Sequence, residues 1–160
     1  MHKDLWFKWF FEKGESLAYN TIGIAYQKIG ERTSKYYNEA IENHLKHKEI
    51  ADINGKFIAH INLGQIYEKI GEKEKSAVNL QFALKYAIQM SSIAGQTIAV
   101  GNLVYLGSQS LLSRNSIIAD NSTLKLFVER FIQLSTETNC KNGLSMALDK
   151  LAKLKKEKVW

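Results

Sequence analysis

An internal repeat is the feature that most constrains this fold. Residues 17–30 read LAYNTIGIAYQKIG and match residues 58–71, IAHINLGQIYEKIG, without a gap. Gly30 falls on Gly71, so the two copies are 41 residues apart, and a fainter third copy at an offset of 40 begins at Thr97. Self-similarity at a fixed period of tens of residues is typical of arrays in which each unit buries its apolar face against the next.

The second copy, from Phe57 to Ala87, predicts two amphipathic helices joined by a tight turn. Apolar residues recur at helical spacing on both sides of the charged stretch EKEKS. Gly64 lies inside the first helix, where glycine costs about 1 kcal/mol relative to alanine, so we expect another helix to approach it closely. Gly71 follows the last apolar residue and is expected in the left-handed conformation that ends many helices.

These segments resemble tetratricopeptide repeats. In repeat two the resemblance rests on Leu63, Gly64 and Tyr67, followed by Ser76, Leu80 and Ala83; in repeat one it rests on Tyr19, Ile22, Gly23 and Tyr26. The usual repeat has about 34 residues. The longer one here is similar to the extended repeats of Leu-Gly-Asn-type G-protein regulators, and kinesin light chains also have long repeats. The resemblance implies an all-α fold, a right-handed α-solenoid of antiparallel helix pairs with about three repeats.

We expect one domain with five parts. An N-terminal aromatic helix occupies residues 1–15, repeat one 16–55, repeat two 56–96, a divergent repeat three 97–140 and a lysine-rich capping helix 141–160. The chain contains no proline, which suits an uninterrupted stack of helices but departs from the many family members whose repeats close with one.

Several boundaries follow from local signals. Asn54-Gly55 and the glycine at Gly95 predict turns between units, and residues 113–122, SRNSIIADNS, predict a loop. The second helix of repeat one is predicted from Thr33 to about Ile53. Lys35 stands where the family has a small packing residue, unless the turn is one residue longer, so we expect a shifted or lengthened helix.

Composition bounds the class of protein. The formal net charge of +6 favours approach to an acidic partner, but basicity without interleaved aromatic residues is not typical of nucleic-acid binding. The single cysteine, Cys140, allows no intrachain disulfide and is typical of a reducing compartment. The sequence offers no apolar run long enough for a membrane span and no secretion signal. We expect a cytoplasmic protein, or, from the family association, one in a cytoskeletal or ciliary (axonemal) assembly.

The two ends of the chain carry unusual residues. The predicted helix Leu5–Lys13 is apolar almost all round, so it either forms a lid on repeat one, anchors in another protein or oligomer, or inserts into a membrane surface. The lysine-rich last helix either ends the array in water or forms a basic arm toward an acidic partner. The predicted end-docking residues are Trp6, Trp9, Phe10, Lys153, Lys156 and Trp160.

No motif of catalysis or cofactor binding is present. The sequence has no P-loop, dinucleotide glycine fingerprint, Cys-x-x-Cys pair or recognisable nucleophile setting, so we expect neither an enzyme nor a small-molecule substrate nor a cofactor. His44 and His47 lie one helical turn apart, a spacing that can hold a metal. No third ligand is evident, since His60 is in another helix, and we therefore interpret them as surface histidines and expect no metal.

The resemblance implies a concave groove lined by the first helix of each pair, where the family binds a partner peptide. Carried over position by position, the groove residues are Asn20, Thr21, Ile24, Gln27 and Lys28 from repeat one, Ile61, Asn62, Gln65, Glu68 and Lys69 from repeat two, and Asn102, Tyr105 and Gln109 from repeat three. Asn62 and Asn102 are equivalent positions whose amides suit a ligand backbone, or alternatively form helix–helix hydrogen bonds.

The resulting prediction is a non-catalytic protein-interaction module or scaffold subunit of a larger complex. It binds a partner peptide or helix in the groove and through its ends. The alternative is a basic adaptor that docks on an acidic polymer, such as a microtubule surface or nucleic acid, through the last helix. A sensor that switches on binding a short peptide would use the same groove.

Overall fold

The computed structural model describes residues 2–110 and 121–156, with side chains for residues 11–107, 122–153 and 155. Within these residues the fold is all-α and no strand is present. The helices are α1 (His2–Gly30), α2 (Tyr37–Ile50), α3 (Ile53–Lys69), α4 (Lys73–Gln89), α5 (Ile93–Ser110), α6 (Asn121–Glu137) and α7 (Lys141–Lys156), with a 3-10 turn at Ser34–Tyr36 before α2.

The helices pack in chain order. Each one contacts its neighbour in sequence, which gives the packed pairs α1–α2, α3–α4 and α5–α6, and α7 packs on α6 after the third pair. Contacts also run from α1 to α3, from α3 to α5 and from α5 to α7, whereas the described parts of α2, α4 and α6 make no such contacts with one another. The first, third, fifth and seventh helices therefore lie side by side, and we call the surface they form the odd-helix face.

The core continues from one helix pair to the next. One buried cluster joins α3, α4 and α5, a second joins α5, α6 and α7, and a small third joins α2 to α3. The side chains of the first two clusters are mainly leucine, valine and alanine, and α6 buries Leu124, Val128, Phe131 and Leu134. Because α5 contributes to both large clusters, the core is continuous from α3 to α7.

Two glycines of repeat two have the predicted roles. A Cβ atom on Gly64 would lie 2.8 Å from Leu80 of α4, so the close approach expected there is confirmed. The Ser76 hydroxyl donates a hydrogen bond of 2.7 Å to the carbonyl of Gly64, and this bond fixes the same contact. Gly71 follows α3 with a φ of 85°, the left-handed conformation that favours glycine.

The turns predicted at Asn54-Gly55 and Gly95 are wrong, because both glycines lie in the first turn of a helix. Asp52 accepts a hydrogen bond of 2.9 Å from the amide of Gly55, which caps α3. Ser92 accepts one of 3.0 Å from the amide of Gly95, which caps α5 in the same way. Both helices therefore begin with a capping side chain that accepts a hydrogen bond from the amide of a glycine three residues later.

The prediction of a separate N-terminal helix over Leu5–Lys13 is also wrong, because these residues belong to α1, one helix of 29 residues. In the repeat, Asp52 corresponds to Phe11 and Gly55 corresponds to Gly14. Phe11 has no side-chain oxygen to cap a helix, and no proline interrupts the chain. The helix that begins at a cap in repeats two and three therefore continues through Gly14 in repeat one.

The second helix of repeat one is shifted, as expected, but it is shorter than predicted. It covers Tyr37–Ile50 rather than Thr33 to Ile53, because the 3-10 turn at Ser34–Tyr36 lengthens the connection from α1. The Tyr37 ring packs so closely against Gly30 that a Cβ atom on Gly30 would lie 2.7 Å from the ring. Ala40, fully buried, is the small packing residue in place of Lys35. The loop predicted over residues 113–122 lies outside the described residues, except that α6 already begins at Asn121.

Candidate functional site

An open groove of about 260 Å³ lies on the odd-helix face along α3, between α1 and α5, and α4 also contributes to its lining. We call it the central groove. Its lining includes six of the residues predicted for a peptide groove: Gln27, Gln65, Glu68, Lys69, Asn102 and Tyr105. The remaining lining residues are Glu31, Gly64, Ser76, Leu80 and Leu106. Three helices that are far apart in sequence thus place their predicted residues around one space.

Helical spacing explains why these residues converge. Gln65, Glu68 and Lys69 lie three and four residues apart on α3, and Asn102 and Tyr105 lie three apart on α5, so each set faces one side of its helix. The groove walls present amide groups and charges of both signs. Lys28 adds to this pattern through its ion pair of 3.7 Å with Glu31, a lining residue.

A second cavity, of about 380 Å³, adjoins the central groove. We call it the apolar socket. Asn102 and Tyr105 line both cavities, and the socket walls are otherwise mainly apolar, including Ile98, Phe131 and Met146. Gly101 and Gly143 contribute bare backbone, and a Cβ on Gly101 would lie 2.9 Å from Phe131. The sequence analysis did not identify the socket, although the extra glycine at position 101 was a signal of altered packing there.

The remaining predicted groove residues lie elsewhere. Ile61 does not line the central groove, contrary to the prediction, and is buried in the core with Ala77 and Leu80. Thr21 and Ile24 are exposed on α1 but do not line the central groove. Gln109 lies on α5, and its side chain is outside the described residues.

The two equivalent asparagines differ in their bonding. The Asn62 amide donates a hydrogen bond of 3.3 Å to Oδ1 of Asn20 and lies 3.5 Å from Nδ1 of His44. It therefore joins α3 to α1 and α2, which is the helix–helix role that the sequence left open. Asn102 donates to the carbonyl of Ile98 within its own helix at 2.8 Å and lines both cavities, so its side chain is the one placed to meet a ligand.

The prediction of surface histidines is wrong. His44 is 0 % exposed, and His47 and His60 are also buried. His44 fills the space over Gly23 of α1, where a Cβ would come within 2.7 Å of the imidazole ring. Sequence reasoning had aligned Gly23 with Gly64 but could not identify the partner, because the ring belongs to a residue 21 positions away and on another helix.

Burial favours the neutral form of these imidazoles. It lowers the pKa of His44 to about 4, with a further lowering from neighbouring His47. Burial also lowers the pKa of His47, although the nearby Asp52 carboxylate acts to raise it. Burial lowers the pKa of His60 as well, and Nδ1 of this ring is hydrogen-bonded to Asn79 at 2.9 Å. His44 Nε2 and His47 Nδ1 have no hydrogen-bond partner in the described part of the chain. That part also contains no group of three or more histidine, cysteine or acidic residues that could hold a metal ion.

The predicted end-docking residues lie at opposite ends of the helix series. Trp6, Trp9 and Phe10 are on α1 and Lys156 is the last residue of α7, but their side chains, and Trp160 altogether, lie outside the described residues. Lys153 is exposed on α7. None of the described helices combines the length and the apolar character needed to cross a membrane.

A scan against protein-family models and a search of curated proteins found no match to this sequence. The resemblance to tetratricopeptide repeats therefore remains a prediction that rests on the repeated residues themselves.

Proposed function

We propose that this protein is a non-catalytic interaction module that holds a peptide or helix of a partner protein in the central groove. One observation carries the proposal: six residues chosen from three repeats of the sequence line a single open space on the odd-helix face. We also propose that the fold is a right-handed α-solenoid of about three tetratricopeptide-like units. The first helix of each unit lies on the odd-helix face. A scaffold subunit within a larger cytoplasmic or cytoskeletal assembly is the role that fits such a module.

The chemistry of the groove favours an extended segment over a small molecule. Amide side chains such as Gln65 and Asn102 can donate and accept at once, as a peptide backbone requires. The apolar socket beyond Tyr105 gives one large apolar side chain of the ligand a place to become buried. We therefore propose a ligand with a polar stretch next to an aromatic or long aliphatic residue.

Peptide display followed by affinity measurement tests this proposal. Peptides selected on the folded chain are measured by fluorescence polarisation against wild type, Asn102→Ala and Tyr105→Ala. We expect at least a tenfold loss of affinity for both variants, because each residue lines both cavities. The matched control is Asn38→Ala, an exposed asparagine on α2. It should bind like wild type.

The same peptides separate the groove from a basic adaptor. Binding to an acidic polymer through the lysines of α7 would weaken steeply between low and high salt, because it depends on released counterions. Groove binding through amides and apolar side chains should change little. Selected peptides that are all acidic, that lose affinity steeply with salt and that ignore both groove variants would overturn the proposal.

A further inference from the structure

A third cavity, of about 440 Å³, lies beside the middle of α1, where α1 passes the end of α2 and the start of α3. We call it the root cleft. Leu17, Ile50 and Ile58 line it, one from each helix, and all three are exposed, Leu17 by 65 %. Three apolar side chains that converge on one open space form a surface that water solvates poorly.

The root cleft lies at the base of a projecting helix. Gly30 of α1 packs against Tyr37 and Gly23 packs against His44, so α1 and α2 run antiparallel, and α2 ends at Ile50. The repeat places Phe11 level with Asp52, the cap of α3. Residues 2–10 of α1 therefore extend beyond both neighbours, by about 14 Å at 1.5 Å per residue.

The projecting part of α1 has the composition of a covered helix. Residues 5–11 read LWFKWFF, five aromatic residues and a leucine around one lysine. Phe11, at the base of this part, is 69 % exposed. Aromatic side chains bury about 150–250 Å² each, so three of the five supply about 450–750 Å² per copy. A stable interface buries about 800 Å² of surface per partner, and the apolar residues of the root cleft supply the remaining area.

Charge favours pairing of this end of α1 with the root cleft. The chain as a whole carries +6, which opposes self-association. Residues 2–8 carry two lysines and one aspartate, a formal +1, whereas the charged residues that line the cleft are Glu12, Lys13 and Asp52, a formal −1. Lys13 and Asp52 lie 3.8 Å apart across the cleft, which leaves its rim acidic overall.

We propose that the root cleft binds the N-terminal turns of α1 from a second copy of this chain. Antiparallel overlap of two α1 helices over about a dozen residues brings the backbone of residues 5 and 6 of each copy level with Leu17 of the other. The two contacts are then identical and related by a two-fold axis, so the association closes as a dimer and does not extend into fibres.

Sedimentation velocity of the full chain from 1 to 100 µM tests the dimer. We expect a species of twice the 18.2 kDa chain mass in wild type. The variants Trp6→Ser with Trp9→Ser, which alters the projecting turns, and Leu17→Glu, which alters the cleft, should each weaken dimerisation at least tenfold. Ile88→Glu is the matched control, since Ile88 is a 56 % exposed residue on α4, and it should dimerise like wild type.

A mixture of the two defective variants gives the sharpest result. The mixed dimer keeps one intact contact, between the unaltered α1 of the Leu17→Glu chain and the unaltered cleft of the other chain. We expect more dimer in the mixture at 100 µM than in either variant alone. A wild-type chain that stays monomeric at 100 µM, or a mixture with no added dimer, would overturn the proposal. So would a monomer that co-sediments with phosphatidylcholine–phosphatidylserine vesicles, because α1 would then bind membrane.

Discussion

Gly64→Ala and Gly14→Ala are the same substitution inside two helices, and the structure predicts opposite effects on stability. A Cβ on Gly64 would lie 2.8 Å from Cγ and Cδ2 of Leu80, which is 2 % exposed and enclosed by the core. A Cβ atom on Gly14 would meet no neighbouring atom within 4 Å. Alanine gains up to about 1 kcal/mol over glycine in a helix interior, so Gly14→Ala should stabilise the protein by roughly 0.5–1 kcal/mol.

At Gly64 the steric cost exceeds this gain. Overfilling a packed core costs typically about 1–3 kcal/mol, and Leu80 is buried in the same cluster as Ala83 and Leu103. The backbone is also held by Ser76, which bonds to the Gly64 carbonyl. The net expectation for Gly64→Ala is a loss of roughly 0.5–2 kcal/mol.

Urea unfolding followed by circular dichroism at 222 nm measures both variants. The free energy of unfolding should fall for Gly64→Ala and rise for Gly14→Ala, with little change in the dependence on urea concentration. A Gly64→Ala protein as stable as wild type would refute the reasoning, because it would mean that α3 and α4 do not approach each other at Gly64 as closely as described.

Two further predictions concern acid and a helix cap. The folded-state pKa of His44 is about 4, below the ordinary 6.5, so the unfolded chain binds more protons than the folded one at acidic pH. The free energy of unfolding should therefore fall by about 3 kcal/mol as the pH drops from about 6.5 toward 4. Equal urea midpoints at pH 7.5 and pH 5 would contradict this, and His44→Leu should make stability less dependent on pH. Asp52→Ala removes the cap of α3 and should cost about 1 kcal/mol, whereas Asp52→Asn, which keeps an acceptor, should cost less.

The sequence predicted the features that depend on spacing within one repeat. Gly64 and Gly71 are recognisable because helical periodicity and the pattern of the repeat both mark them. The groove residues of α3 and α5 came from the resemblance to tetratricopeptide repeats, carried over position by position. Six of the thirteen predicted residues, from three helices, line one space.

The features that depend on a distant partner could not be predicted. Asn54-Gly55 has the composition of a turn, but the cap by Asp52 makes it the first turn of α3. His44 looks like a surface residue until the long connection before α2 places its ring over Gly23. The apolar socket forms between α5, Phe131 of α6 and the start of α7. The undescribed residues 111–120 separate α5 from the other two helices in sequence, and no local pattern links them.

Chemical-shift mapping tests the central claim most directly. A display-selected peptide is titrated into the ¹⁵N-labelled chain, and amide shifts are followed by heteronuclear correlation spectra. We predict that the largest shifts fall on α3 and α5 around Gln65, Asn102 and Tyr105, which line the central groove. Largest shifts on α7 around Lys153 and Lys155, with the groove amides unchanged, would contradict the account and would favour a basic docking surface.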